Sequence, residues 1–181
     1  TLALKDQNAW LRFLYTHPSS LDRDMVRTVR DHANICSYYD VPIQHACSSV
    51  LRRMGRPYTQ EDLIGLFGLI RSQDPEAVLR TTVIVGFPGE TDNDFQELMG
   101  FIQKVKFDHL GVFTYSDSHD LASHRLRAHV PADVAEKRHD TLMAAQAAIS
   151  LQLNQARVGK VYEVLVEENP EPGVFVGRTM F

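Results

Sequence analysis

A chain of 181 residues with a formal charge of −4 and ordinary apolar content can build one sizeable core, or one domain with a small appendage. Its mild charge gives no global attraction to nucleic acid or lipid, no apolar run approaches a membrane span, and the N-terminus lacks the basic-then-apolar layout of a secretory signal, so the expected compartment is the cytoplasm. Cys36 and Cys47 are the two cysteines, and their spacing makes neither a disulfide framework nor a metal-ligand set.

Trp10 to Tyr15 (WLRFLY) predicts a strand ended by THPSS, after which Ser19 or Ser20 caps a helix with Leu21, Met25, Val29 and Ala33 on one face. Tyr38 to Ile43 predicts a second, shorter strand weakened by Pro42. Gln44 and His45 close it before a short helix through Val50, Leu51 and Met54. Thr59 with Asp62 forms a capping-box pattern, and Leu63, Leu66, Phe67 and Ile70 make the apolar stripe of the helix behind it. The stretch Arg80 to Phe95 (RTTVIVGFPGETDNDF) is the centre of the chain. Thr81 to Val85 has the β-branched character of a strand buried on both faces, and it breaks at Gly86, Pro88 and Gly89. Thr91 and Asp94 then open a helix carrying Phe95, Leu98, Met99, Ile102 and Val105. Backbone N–H groups at such a helix start suit an anionic or nucleotide-like ligand, though the same turn serves as a tight crossover in any α/β protein.

His109 to Tyr115 predicts a fourth strand, followed by a polar loop from Ser116 to Pro131 and a long helix from about Ala132 to Arg157, with Val134, Leu142, Ala145, Ile149 and Leu153 buried. From Lys160 the pattern changes: Val161 to Val166 and Val174 to Val176 read as strands separated by a turn-rich EENPEPG linker. Four strands alternating with four helices predict parallel strands with right-handed crossovers, in a barrel or an open doubly wound sheet. Ligands of such folds sit at the C-terminal ends of the strands, which gathers Tyr15, His17, Gln44, His45, Gly86 to Glu90 and Tyr115 on one rim.

YYDVPIQHACSSVLRRMGRPYT, LRTTVIVGFPGETDNDFQEL and FDHLGVFTYS, in that order, resemble the methylthiotransferase branch of the radical S-adenosylmethionine (SAM) enzymes. Within the branch, PIQHA, GVFTYS and LMAAQAAIS resemble the type that modifies an aspartate of a small-subunit ribosomal protein (RimO type). The tRNA-adenosine type (MiaB type) usually reads QSGS where this chain has QHAC. VGKVYEVLVEE and VGRT resemble the opening of the TRAM module that these enzymes carry. The resemblance implies an α/β fold comprising the last four strand–helix units of a partial TIM-like barrel over residues 1–157, and the start of a small β module over 158–181.

The same resemblance implies SAM and 4Fe-4S clusters as cofactors, a ribosomal substrate, and RNA contact through the tail. The family's CxxxCxxC motif is absent from this sequence, so the chain is expected to be a piece of a longer enzyme, inactive alone, with CxxxCxxC upstream of Thr1. Cys36 and Cys47 are not expected to replace those ligands. The residues matching the family's SAM pocket are Gln44 and Thr82 toward the ribose, Arg56 toward the methionyl carboxylate, and Ile84, Gly86, Phe113 and Tyr115 beside the adenine. Two departures stand out. Ser118-His119-Asp120-Leu121 replaces an acidic pair followed by Gly-Thr, in a loop expected to face the protein substrate, and Cys47 stands where Ser or Gly is usual, its thiol expected to be oxidisable. A non-catalytic ribosome- or RNA-binding module is the alternative from another class. Without a preceding strand, Trp10 to Tyr15 is expected to expose an edge through which copies of the chain associate.

Overall fold

A computed structural model describes residues 9–181, so the first eight residues of the predicted 1–157 unit lie outside the described residues. The element order is β1 (Leu11–Phe13), α1 (Arg23–Asp31), β2 (Ile35–Asp40), α2 (Ser48–Arg53), α3 (Gln60–Gln73), β3 (Val78–Val85), α4 (Asp92–Val105), β4 (His109–Thr114), α5 (Ala132–Gln155), β5 (Val164–Glu171) and β6 (Val174–Thr179). The first four strands form a parallel sheet in the order β1-β2-β3-β4, and β5 and β6 form a separate antiparallel pair. The predicted α/β architecture is therefore present. No helix among the described residues is long and apolar enough to cross a membrane.

The central strand is amphipathic, contrary to the expectation of a strand buried on both faces. Leu79, Thr81, Val83 and Val85 are buried toward the helices, whereas Arg80, Thr82 and Ile84 are only half-buried on the opposite, concave face. Leu79, Val83 and Val85 join one core with Leu63, Phe67 and Ile70 of α3, Leu98 and Ile102 of α4, and Leu142 of α5. Alternation places every second β3 side chain on the open face, which is how the strand contributes both to the core and to a site.

Several local expectations are corrected. Asp22, not Ser19 or Ser20, caps α1, its carboxylate accepting from the Met25 N–H at 2.8 Å; the serines lie in a 3₁₀ turn, Pro18–Ser20. Val26 and Val29 are the buried residues of α1, while Ala33 lies beyond its end and is exposed. β2 runs from Ile35 to Asp40 because Pro42 has no N–H to continue the ladder; the Thr81 hydroxyl spans that gap, donating to Val41 O (2.7 Å) and accepting from Ile43 N (3.3 Å). The buried line of α5 is Ala135, Arg138, Leu142, Gln146 and Ile149, two of them polar, which an apolar pattern does not reveal. EENPEPG is mostly strand: β5 runs to Glu171, and the turn is confined to Pro172 and Gly173, where φ is +84°. The capping boxes at Thr59/Asp62 and Thr91/Asp94 form as expected.

On the concave face, Cys36, Tyr38 and Val78 form a small cluster with Trp10, Met180 and Phe181 at the N-terminal end of the strands. Above it the buried Asp40 pairs with its register neighbour Arg80 at 2.8 Å. Above that pair lie the strand ends.

Candidate functional site

Gln44 is fixed by backbone alone. Its N–H donates to Thr82 O (3.0 Å) and its carbonyl accepts from Ile84 N–H (2.7 Å), a one-residue bridge that continues the parallel ladder past Pro42. The bridge holds Gln44 at φ +67°, a left-handed conformation that costs a non-glycine residue energy and tends to occur where surrounding structure demands it. Its side chain lines two adjoining clefts. The larger, of about 570 Å³, is lined by Gln44, Met54, Arg56, Ile84, Phe87 and Tyr115, with Leu121, Ala122, Ser123 and Leu126 closing one side. The smaller, of about 300 Å³, is lined by Tyr15, His17, Gln44, Arg56 and Thr82. The larger falls within the ~300–1,000 Å³ typical of small-molecule sites and has the expected apolar wall with few polar groups.

Arg56 enters from the loop after α2, where its backbone N–H donates to Leu51 O at 2.9 Å. Among the described residues its side chain makes no hydrogen bond or ion pair, and its Nε is buried without a partner. A buried guanidinium N–H with nothing to donate to is costly. A ligand anion would satisfy it. Tyr115, at the end of β4, packs edge-on against Phe87 with ring centroids 5.2 Å apart, and its hydroxyl lies within hydrogen-bond distance of Ser123 Oγ (2.9 Å) and Asp117 Oδ1 (3.1 Å).

Of the residues expected in the pocket, the two clefts bring together Gln44, Arg56, Thr82, Ile84 and Tyr115. Phe113 is the register partner of Ile84 on the same face, but it is 60% exposed and outside the lining of either cleft. Gly86 lies behind the wall. It has φ +79°, and a β-carbon there would stand 2.6 Å from Cβ of Ala135 at the start of α5, so glycine is required for the docking of that helix. Gly86→Ala is expected to cost about 2 kcal/mol or more from the left-handed backbone and overpacking together, measured as a lower midpoint in urea unfolding.

The glycine turn does not offer free amides to an anion. Glu90 folds back so that its Oε2 accepts from the N–H groups of both Gly86 and Phe87 (3.1 Å for Phe87). Arg138 of α5 reaches the same carboxylate, its Nη1 3.3 Å from Oε1, and also donates to Glu90 O (3.2 Å) and to Asp92 Oδ1 (2.7 Å). Burial pushes the Glu90 carboxyl above its ordinary value, with Arg138 and the two amides opposing the shift. The protein's own carboxylate thus occupies the place of the anion, and sequence reading missed it because neither Glu90 nor Arg138 belongs to an apolar pattern.

His45 is not on the rim. It is fully buried, its Nδ1 accepts from the Cys47 N–H (2.9 Å), and burial lowers its pKa to about 3, so it is neutral. The Cys47 thiol is buried and donates to Asp94 Oδ1 at 2.9 Å; burial, then that bond, raises its pKa above the ordinary value. A protonated, buried thiol is a poor nucleophile, which removes the expected sensitivity to oxidation. Burial opposes ionisation of Asp94, but Cys47, the Thr91 N–H and hydroxyl and the Ser49 hydroxyl together hold its carboxyl well below the usual range. This network ties the start of α2 to the start of α4.

The three cluster thiolates of a CxxxCxxC motif have no counterpart among the residues present. Cys36 and Cys47 are free, buried and in different apolar clusters, and no group of three His, Cys, Asp or Glu among the described residues could hold a metal ion. An iron–sulfur cluster does not fit this chain's own donors.

Comparison with known proteins agrees with the fold. Coproporphyrinogen III oxidase (HemN) from Escherichia coli, a radical SAM enzyme, superposes with a TM-score of 0.62 over 78% of this chain and 32% of its own, at 19% identity, a likeness of fold. Proteins named ribosomal protein uS12 methylthiotransferase RimO are 47% identical over 98% of this chain in Clostridioides difficile and 51% identical over 99% of it in Desulfosudis oleivorans. The chain spans about 40% of the length of these relatives. The model of the radical SAM superfamily matches residues 2–102, more than half of the 181 residues, and the chain belongs to that superfamily.

Proposed function

We propose that this chain supplies one wall of the SAM pocket of a methylthiotransferase that adds a methylthio group to an aspartate of a small-subunit ribosomal protein. The observation that carries the reading is Arg56, whose guanidinium is unpaired among the described residues and whose buried Nε has no partner among them, on the lining of an apolar cleft of suitable size. Arg56 would hold the methionyl carboxylate, Gln44 and Thr82 the ribose hydroxyls, and Ile84 and Tyr115 the adenine, with Phe113 extending that wall and Gly86 letting α5 close behind it. Bound SAM supplies the reactive carbon fragment and the methyl group. The protein's residues orient it and exclude water, since Phe87, Met54 and Leu126 make the cleft largely apolar. The 4Fe-4S clusters of the proposed enzyme require thiolates other than Cys36 and Cys47.

The identity of about half over nearly the whole chain to proteins named for uS12 modification favours that protein as substrate. Mass spectrometry of uS12 and of tRNA from a strain lacking the gene tests it: uS12 is expected to lose a methylthio group while tRNA keeps its own. The reverse result would assign the tRNA-adenosine reaction. Residues 1–157 would form the barrel part and 158–181 the opening of a TRAM-like module. RNA contact through that tail has weaker support, because it holds Glu163, Glu167, Glu168 and Glu171 against Lys160 and Arg178. β1 is the outer strand of the sheet beside β2 and offers an edge for self-association, or for an additional strand of the same barrel. Cytoplasmic location follows from a ribosomal substrate.

A further inference from the structure

We infer that the smaller cleft, beside Gln44 and Arg56, is the subsite for the acceptor carboxylate, and that His17 is a substrate-binding residue in it. The inference rests on the reading of the larger cleft as the SAM site and adds the place of the second substrate.

The local geometry fixes what His17 presents. Its Nδ1 accepts from the Ser19 N–H at 3.2 Å, capping the 3₁₀ turn Pro18–Ser20, so in the neutral ring the proton sits on Nε2. The ring packs edge-on against Tyr58, with centroids 5.6 Å apart, and the Tyr58 hydroxyl is in turn anchored to Ile43 O at 3.1 Å. The imidazole is therefore held by a cap on one side and a buried aromatic on the other. Nε2–H has no hydrogen-bond partner among the described residues, and His17 is one of the residues that line the cleft.

The rest of the cleft is equally one-sided. Arg56 contributes a cation whose side chain is unpaired among the described residues, Gln44 and Thr82 mark its border with the SAM ribose, and no carboxylate of the described residues lines the space. A guanidinium has five N–H groups, enough to serve a ligand in each of the two clefts that Arg56 lines. Beneath the cleft, Asp40 is already ion-paired with Arg80 and accepts from the Tyr15 N–H at 3.2 Å, so its charge is compensated and does not oppose an incoming anion. Tyr15 sits at φ +56° and is 76% exposed, a strained residue at the mouth. His17 from the segment after β1 and Arg56 from the loop after α2 line one open space next to the SAM cleft, and an aspartate side chain is the carboxylate that the proposed reaction must place there.

The test uses the chain with its imidazoles ¹³C-labelled, titrated with a short uncharged peptide carrying one aspartate and with its asparagine twin, each with and without SAM. The aspartate peptide is expected to shift the His17 Cε1 resonance and to bind ~10-fold tighter than the twin, as a charge-assisted hydrogen bond implies. His17→Asn keeps an N-cap acceptor for the Ser19 N–H but removes the Nε2 donor. It is expected to abolish that preference without changing SAM affinity, with a melting temperature lowered by no more than the loss of the Tyr58 contact explains, while His17→Gln, whose amide reaches further, retains part of it. Equal affinity for the two peptides, an unchanged preference in His17→Asn, or His17-dependent binding of an adenosine-bearing RNA hairpin in place of the peptide would overturn the inference. The SAM titration stands apart: failure of SAM to bind sinks the reading of the larger cleft, whatever the peptides do.

Discussion

Arg56→Ala is expected to weaken SAM binding by ~1.5–3 kcal/mol, roughly 10- to 150-fold in Kd, the usual worth of hydrogen bonds to a charged group. The chain's own stability should barely change, because among the described residues the Arg56 side chain bonds to nothing in the protein, and removing it also removes an unsatisfied buried Nε. Loss of ligand affinity without loss of stability separates a binding residue from a solvated arginine at a helix end, which would affect neither. Arg56→Lys should recover only part of the affinity, since a lysine ammonium keeps the charge but lacks the planar fork that meets a carboxylate with two parallel bonds. Calorimetric titration with SAM, paired with thermal unfolding of each variant, makes the comparison.

Arg138→Ala should have the larger effect on stability. It removes the cation facing the buried Glu90 carboxylate, and breaking a buried pair from one side costs ~3–5 kcal/mol when the orphaned charge stays ionised. Glu90 has a way out. Burial already raises its pKa above the ordinary 4.5, and without Arg138 it rises further, so the variant can protonate Glu90 instead of burying its charge. A carboxyl whose folded pKa is raised contributes stability that is fully present below its unfolded value and is lost as pH rises through its folded value. The gap between wild type and Arg138→Ala should therefore be smaller at pH 5 than at pH 8, measured by urea unfolding at both. Equal destabilisation at the two pH values would show that Glu90 does not titrate in the variant. The Gly86–Phe87 turn should loosen in the same variant, because Glu90 is what holds its two amides.

The parallel sheet was legible because strand, turn and helix alternate with clear apolar periods, and because both capping boxes announce where α3 and α4 begin. Gln44, Arg56, Ile84 and Tyr115 were legible as pocket residues through the resemblance of their surrounding motifs, and they do line one cleft. What the sequence hid is polar and non-local. Asp22 caps α1 across a turn that two serines made ambiguous, and Glu90 and Arg138 meet across 48 residues. Thr81 stands in for a missing N–H beside Pro42, again a long-range bond. His45 seemed a rim residue by position, yet the Gln44 bridge turns the chain so that His45 goes inside. Such side-chain bonds to distant backbone leave no periodic trace in a sequence.

The exposed faces of β3 carry the same lesson for function. Thr82 and Ile84 looked like core by their β-branched company, but the concave face of this sheet is left open at the strand ends, and those two side chains stand on it with Gln44 bridged between them. The turn that follows, which looked like an anion site, is filled by its own glutamate. On the proposed reading, the ligand-directed part of the stretch is the strand.

A crystal structure of the chain soaked with SAM tests this most directly. The adenine is expected between Ile84 and Tyr115, the ribose beside Gln44 and Thr82, and the methionyl carboxylate on Arg56. SAM bound at the Gly86–Glu90 turn, or bound elsewhere with the Arg56 guanidinium still unpartnered, would contradict the account.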